Sequence, residues 1–233
     1  MFGIIASSGS TTAEPEPLKT LTYINSSDIY TTAVGQTQTL TYPSGTQEGD
    51  LLVLFRMYDS SLTAPQPTIP AAFTSIMSNT TSGLISARTA YRVVGSGVET
   101  GVSLTTDANM NSMSMLLAFR PNFAITSVTP TTETNTLSGN AVSISLTNGS
   151  TTSNPYLAFI HAVGSGTTPH TFSPLPTTLG MTEIDHSQNT SISRSLTVLY
   201  RRLNQGDTLP GTLSTTTSDA GTNIGQSFRL AIA

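Results

Sequence analysis

Leu51-Leu52-Val53-Leu54-Phe55-Arg56-Met57 is almost continuously apolar, interrupted only by Arg56. Opened by the turn pair Gly49-Asp50, the run reads as a strand covered on both faces. A counterpart stands in the second half, where Leu51–Phe55 is answered by Tyr156-Leu157-Ala158-Phe159-Ile160. Ala90-Tyr91-Arg92 is answered by Leu199-Tyr200-Arg201, and Ser103-Leu104-Thr105 by Thr212-Leu213-Ser214. Leu117-Ala118-Phe119 is answered by Leu230-Ala231-Ile232. The spacing between copies drifts slightly, as insertions in loops would make it do. A repeat this long is a whole domain, larger than the units of about 20–50 residues that build solenoids and propellers.

Further strands are expected at Thr20–Ile24, Gln38–Tyr42, Ser86–Val94, Gly101–Thr105 and Met113–Arg120 in the first half. In the second half, Val142-Ser143-Ile144-Ser145-Leu146-Thr147 alternates cleanly, as a half-buried strand does. Ser193–Tyr200, Gly211–Ser214 and Ser227–Ile232 follow. Turn signals separate these runs: Pro43-Ser44-Gly45, Gly95-Ser96-Gly97 and the prolines 65, 67 and 70. No segment sustains helical periodicity. The fold class expected is all-β: two tandem β-sandwich domains, jelly-roll-like, at residues 19–121 and 122–233. An extended N-terminal arm, residues 1–18, precedes them.

Composition narrows the function classes. Only 9% of the 233 residues are charged, against about 25% in ordinary domains. Serine and threonine supply the polarity instead, and threonine favours strands because it is β-branched. Disorder combines low hydrophobicity with high net charge, whereas this chain is 36% hydrophobic with a net charge of -4. One lysine, Lys19, and eight scattered arginines form no basic stripe, so no nucleic-acid partner is expected. Cysteine is absent, which removes disulfides, zinc-thiolate sites and cysteine nucleophiles together. No apolar run approaches the length of a membrane span. Met1-Phe2-Gly3-Ile4-Ile5-Ala6 lacks a basic flank and is short for a signal peptide, so synthesis in a cytoplasm without export is expected.

The arm combines a linker-like Ser7–Thr12 with Glu14-Pro15-Glu16-Pro17, which suits neither a helix interior nor a central strand. Left alone, such a tail would fray. The expectation is that it lies against a neighbouring subunit or partner, with Phe2, Ile4, Ile5, Pro15 and Pro17 as candidate assembly contacts. The alternative is that it packs on its own domain.

The search for chemistry ends without a catalytic constellation. His161 follows an apolar strand, His170 lies in a proline-flanked loop, and Asp185-His186-Ser187 are triad residue types with no implied triad geometry. No G-x-S-x-G elbow surrounds any serine. Glu48, Asp50 and Asp59 could hold Ca²⁺ only with backbone help; Gly49-Asp50 reads better as the turn that opens a buried strand. Tyr91, Tyr156 and Tyr200 are expected in the core, with Tyr30, Tyr42 and Tyr58 as the tyrosines that could be exposed. Met113 and Met115 should share one core face of a strand, and Met110 stands near them. No metal or cofactor is expected, and no enzyme activity.

Tyr42-Pro43-Ser44-Gly45-Thr46-Gln47-Glu48-Gly49-Asp50-Leu51-Leu52-Val53 resembles a module of tailed-bacteriophage virion proteins, in which a proline/glycine turn leads into a "GDLLV" strand. The resemblance continues through the proline-rich Pro65–Ala72, Phe73-Thr74-Ser75-Ile76, the "YRV" strand Tyr91-Arg92-Val93 and the closing strand ending at Phe119-Arg120. It reaches the second half only through the repeat, because Asn154-Pro155-Tyr156 replaces the Gly-Asp-Leu turn. It implies a non-enzymatic virion component: a capsid decoration or cement protein, or a tail, baseplate or fibre element. The implied partners are the major capsid protein or other virion proteins, and further copies of the chain in a trimer or dimer. A polysaccharide-acting enzyme is the third and least favoured class.

Overall fold

Short Thr-, Val- and Leu-rich runs between glycine, proline and asparagine turns become fifteen strands, with no helix among the described residues. The computed structural model describes residues 16–31, 35–59, 66–80, 85–97, 99–106, 111–138, 141–147, 153–164, 171–188, 194–207, 212–218 and 223–233. In the first half the strands are β1 (Leu21–Thr31), β2 (Thr37–Thr41), β3 (Leu51–Asp59), β4 (Thr74–Thr80), β5 (Ile85–Val93), β6 (Gly101–Thr105) and β7 (Asn111–Pro121). In the second they are β8 (Val128–Ser138), β9 (Ala141–Leu146), β10 (Tyr156–Gly164), β11 (Thr171–Ser173), β12 (Thr182–Gln188), β13 (Arg194–Leu203), β14 (Leu213–Ser218) and β15 (Asn223–Ile232).

Four antiparallel sheets result. The first half forms a five-stranded sheet, β1-β7-β3-β5-β4, and a two-stranded sheet, β2-β6. The second half forms a five-stranded sheet, β12-β13-β10-β15-β8, and a three-stranded sheet, β11-β14-β9. Set β11 aside and the two halves have the same strand order. All four sequence pairs fall on matching strands: β3 with β10, β5 with β13, β6 with β14 and β7 with β15.

Side-chain direction corrects the alignment within one of those pairs. Leu51, Val53, Phe55 and Met57 of β3 face one core, and Leu52 and Leu54 face another. In β10 the corresponding faces carry Leu157, Phe159 and Val163 on one side, and Tyr156, Ala158, Ile160 and Ala162 on the other. Strand residues alternate faces. The copies must therefore be matched one residue away from the pairing of Leu51 with Tyr156.

The sheets stack in four layers. The two-stranded sheet covers the outer face of its five-stranded neighbour through Leu40, Leu104, Leu52, Leu54 and Leu116. The three-stranded sheet does the same in the second half through Ile144, Leu146, Leu213, Ile160 and Leu199. The largest core lies between the two five-stranded sheets and draws on both halves. Phe55 and Phe119 meet Phe159 at ring-centroid distances of 5.6 and 5.9 Å, Phe119 meets Tyr200 at 5.4 Å, and Phe55 meets Phe228 at 6.0 Å. Each such pair adds about 0.5–1.5 kcal/mol beyond its area burial. Self-contained halves were the expectation; the aromatic centre of this molecule is shared. β3 and β10 are consequently buried along their whole lengths.

Candidate functional site

The halves differ most on their flanks, beside β6 and β14. In the first half, the outward face of β3 ends in Arg56 and Tyr58, both fully buried. Among the described residues β6 pairs with β2 alone, so its other edge needs partners. The Thr105 carbonyl at that edge accepts from the Tyr58 hydroxyl at 2.7 Å, from Thr68 Oγ1 at 3.2 Å and from Arg56 Nη2 at 3.4 Å. Arg56 Nε donates to Ser114 Oγ at 3.2 Å, and Nη1 to the Thr68 carbonyl and, at 3.2 Å, its hydroxyl. The guanidinium also lies 5.1 Å from the Tyr58 ring centroid. A charge taken out of water must be hydrogen-bonded on most sides, and here neutral oxygens do much of it. A cavity of ≈ 220 Å³ remains between Arg56, Thr68, Ile69, Pro70, Ser103 and Thr105. Arg88, opposite Arg56 in register, is held by the Pro67 carbonyl at 3.3 Å and Ser75 Oγ at 3.2 Å.

The second half closes the same flank with backbone. β11 pairs with β14 from Thr171–Ser218 to Ser173–Thr216, and the Thr215 hydroxyl donates to the Pro174 carbonyl at 3.2 Å. No arginine is needed on β10, whose outward positions are Tyr156, Ala158, Ile160 and Ala162. Beside Ser173-Pro174 lies a cavity of ≈ 310 Å³ lined by Ser143, Ser145, Ser214 and Thr216.

The turn into β3 is a clamp. Gly45 and Gly49 take φ of +86° and +85°, left-handed values that favour glycine. The buried Asp50 carboxylate accepts from the Gln47 amide at 2.8 Å and from Arg120 Nε and Nη2 at 2.9 and 2.8 Å. Arg120 Nη2 also reaches the Gly45 carbonyl at 2.6 Å. Its hydrogen bonds to Asp50 raise Arg120 above the ordinary arginine range. Asp50 is thus a bidentate structural anchor. The second half has Asn154-Pro155 at this turn, and Asn154 Oδ1 instead accepts from Lys19 Nζ at 3.2 Å.

Lys19 belongs to a strap. Leu18 offers its carbonyl to Asn122 Nδ2 at 3.0 Å, and Thr20 exchanges bonds with the Asn122 side chain and amide at 2.8 and 3.1 Å. The Lys19 amide donates to Gln205 Oε1 at 3.1 Å, and the Gln205 amide donates to the Lys19 carbonyl at 3.0 Å. The Leu21 amide donates to Asn204 Oδ1, and Arg202 Nη1 to the Leu21 carbonyl, both at 3.1 Å. Lys19 Nζ also sits 5.1 Å from the Phe123 ring centroid. Residues 18–21 therefore pack on their own chain, joining the segment between the halves to the β13–β14 turn. Phe2, Ile4, Ile5 and Pro15 lie outside the described residues. Pro17 is exposed, next to Leu18, which is 64% exposed.

The other residues singled out by type are dispersed. His161 is buried on the shared core, with Nδ1 3.2 Å from Gln226 Oε1 and its ring 5.1 Å from that of Phe55. His170 lies outside the described residues; Asp185 and His186 stand in β12, in register with Thr197 and Leu196. Asp59 is buried at the end of β3, and Glu48 is exposed. Among the described residues, no three His, Asp or Glu side chains gather in a group that could hold a metal ion. Tyr58 and Tyr42 are buried and Tyr30 packs against the shared core, so the reading that left them open to solvent is corrected. Burial, then its hydrogen bond to Glu99 at 2.8 Å, pushes the Tyr42 hydroxyl up to about 12. Arg92 completes that group, 2.5 Å from Glu99 and 2.8 Å from Tyr42. Met113 and Met115 share the expected core face; Met110 lies outside the described residues.

The strap was missed because its donors and acceptors are asparagine and glutamine side chains far apart in sequence. For Arg56 there was a signal: one charge inside an otherwise apolar run. No family model, curated protein or solved structure matches the chain. Among the described residues, no helix is long and apolar enough to cross a membrane.

Proposed function

We propose that this chain is a non-enzymatic structural component of a tailed-phage virion, made in the host cytoplasm, that decorates and cements the capsid exterior. In this reading residues 19–121 and 122–233 are two copies of one jelly-roll-like sandwich, and residues 1–18 are an arm that clasps the capsid protein or a neighbouring copy. The duplicated strand order and the near absence of charge suit a passive building block. One observation carries the proposal. The chain enters the body at an exposed Pro17-Leu18, is bonded at once to Asn122, Gln205 and Asn204 of the second half, and from Leu21 runs into β1 of the first. Tension on an arm anchored there is delivered to the whole body rather than to one sheet. Several weak contacts of this kind, repeated in a trimer or dimer, add through effective concentration.

The test uses preformed capsids, with the full chain and a variant lacking residues 1–17. The full chain is expected to co-sediment with capsids and raise their melting temperature, and the truncated chain to lose most of that binding while staying folded. Equal binding by both would remove the arm from the account, and binding by neither would remove the capsid. A tail, baseplate or fibre element that binds host glycans is the second reading, favoured by the hydroxyl-lined cavity on β9 and β14. Imaging the protein in whole virions separates the two placements.

A further inference from the structure

On the outward face of the three-stranded sheet, Ser145 stands opposite Ser214 and Ser143 opposite Thr216. Neighbouring strands lie about 4.8 Å apart, and same-face residues along a strand about 6.8 Å apart. The four hydroxyls therefore mark a rectangle comparable to the spread of hydroxyls around a sugar ring. Ser143 Oγ and Thr216 Oγ1 hydrogen-bond to each other at 3.3 Å, and Ser145 Oγ to Thr134 Oγ1 at 3.3 Å, which orients three of the four while each keeps further bonding capacity. Ser173 and the exposed Pro174 form one wall, and the 62% exposed Leu175 follows directly. The open groove, of ≈ 310 Å³, falls at the lower end of small-molecule sites, which run from about 300 to 1,000 Å³.

The chemistry of the lining selects the ligand. Among the described residues, the cavity is lined by the hydroxyl-bearing Ser143, Ser145, Ser173, Ser214, Thr215 and Thr216 and by the apolar Ile144 and Pro174, with no charge. Each hydroxyl both donates and accepts. An ion would find no countercharge, and a hydrocarbon would strip water from the hydroxyls and return nothing. A neutral polyol returns every bond in both directions and can lay a C–H face on the Pro174 ring. The first half also has a pocket beside β6, between Ser103, Thr105 and the segment Thr68–Pro70, but there Arg56 of β3 forms part of the wall, the space is smaller, and the β2 side does not line it. The charge-free groove is a feature of the second half.

We propose that the groove on β9 and β14 binds one neutral sugar residue of a glycan. The proposal stands on the groove, whether the body sits on a capsid or on a tail. The test is an NMR titration of the full chain with D-glucose, D-galactose and D-mannose, their neutral oligosaccharides, and glucuronate as a charged control. Saturable shifts at the amides of Ser143, Ser145, Ser214 and Thr216 are expected with at least one neutral sugar and not with glucuronate. Tighter binding of the oligosaccharide would assign the residue to a polymer, and equal binding to a free sugar. The variant Ser214→Val/Thr216→Val keeps β-favouring residues at outward positions and should weaken binding by at least about tenfold. Its capsid binding should be unchanged, which separates this proposal from the virion role. Absence of saturable shifts with every neutral sugar, equal binding by the variant, or equal binding of glucuronate would overturn it.

Discussion

At the flank beside β6 and at the turn into β3 the first half fastens itself with charge, whereas at the matching places the second half uses backbone and a borrowed lysine. The second half's own ion pair, Arg229 Nε to Glu133 Oε1 at 2.6 Å, joins β15 to β8 instead. On the flank, Arg56 and Tyr58 reach the edge of β6 from inside the first half, whereas β11 adds a strand beside β14 in the second. At the turn, Asp50 grips Arg120 within the first half, whereas Asn154 takes Lys19 from the strap and Ala233 stands where the repeat would place Arg120. One strand order thus tolerates two chemistries, provided the open edges of its sheets and the buried charges are answered. At its turn the second half takes a fastening from Lys19, and residues 19–21 also hold Arg202, Asn204 and Gln205, so this end of the half is tied to the segment that leads into the arm.

Replacing Arg56 breaks this contrast most severely. Arg56→Ala empties the flank and takes their arginine donor from the Thr68 carbonyl and Ser114 Oγ, a loss of about 3–5 kcal/mol in denaturant unfolding. Arg56→Lys should recover little, because an ammonium cannot fork between Ser114 and Thr68. Asp50→Asn gives the first half the second half's residue and should cost about 2–3 kcal/mol. The double change with Arg120→Ala should cost less than the sum of the two single changes, by about 1–2 kcal/mol, since both act on one bond. In the second half, Asn204→Ala removes the acceptor for the Leu21 amide and should cost about 1 kcal/mol. Removing residues 1–17 should leave the unfolding midpoint unchanged.

The smallest effect is confined to alkaline pH. Tyr42 titrates at about 12 in the folded chain instead of its ordinary 10. The folded state therefore holds the proton more tightly, and stability falls as pH rises from the lower value through the higher. Tyr42→Phe should flatten that decline between pH 10 and 12, measured by denaturant midpoints across the range.

The sequence announced every central strand, and the strands it hid all lie at sheet edges. β3, β5, β7, β10, β13 and β15 carry apolar runs because both their faces are covered, and all were expected. β4, β8, β11 and β12 were not, and each is an edge strand. Val128–Ser138 shows why: a threonine-rich strand with Pro130 has no apolar alternation to read, and proline is tolerated only where no ladder partner waits. The shared core was illegible for another reason. Periodicity shows that Phe55 and Phe159 are buried, but not that they are buried against each other. The clamp at Asp50 was half legible as a turn; its partner Arg120, seventy positions away, was not.

The central claim is that the two halves share one core and behave as one body. Calorimetry of the full chain, alone and with Asp50→Asn, tests it directly. The account predicts a single unfolding transition with matching calorimetric and van't Hoff enthalpies, moved as a whole to lower temperature by a substitution in the first half only. Two separable transitions, with only one of them displaced by Asp50→Asn, would contradict it.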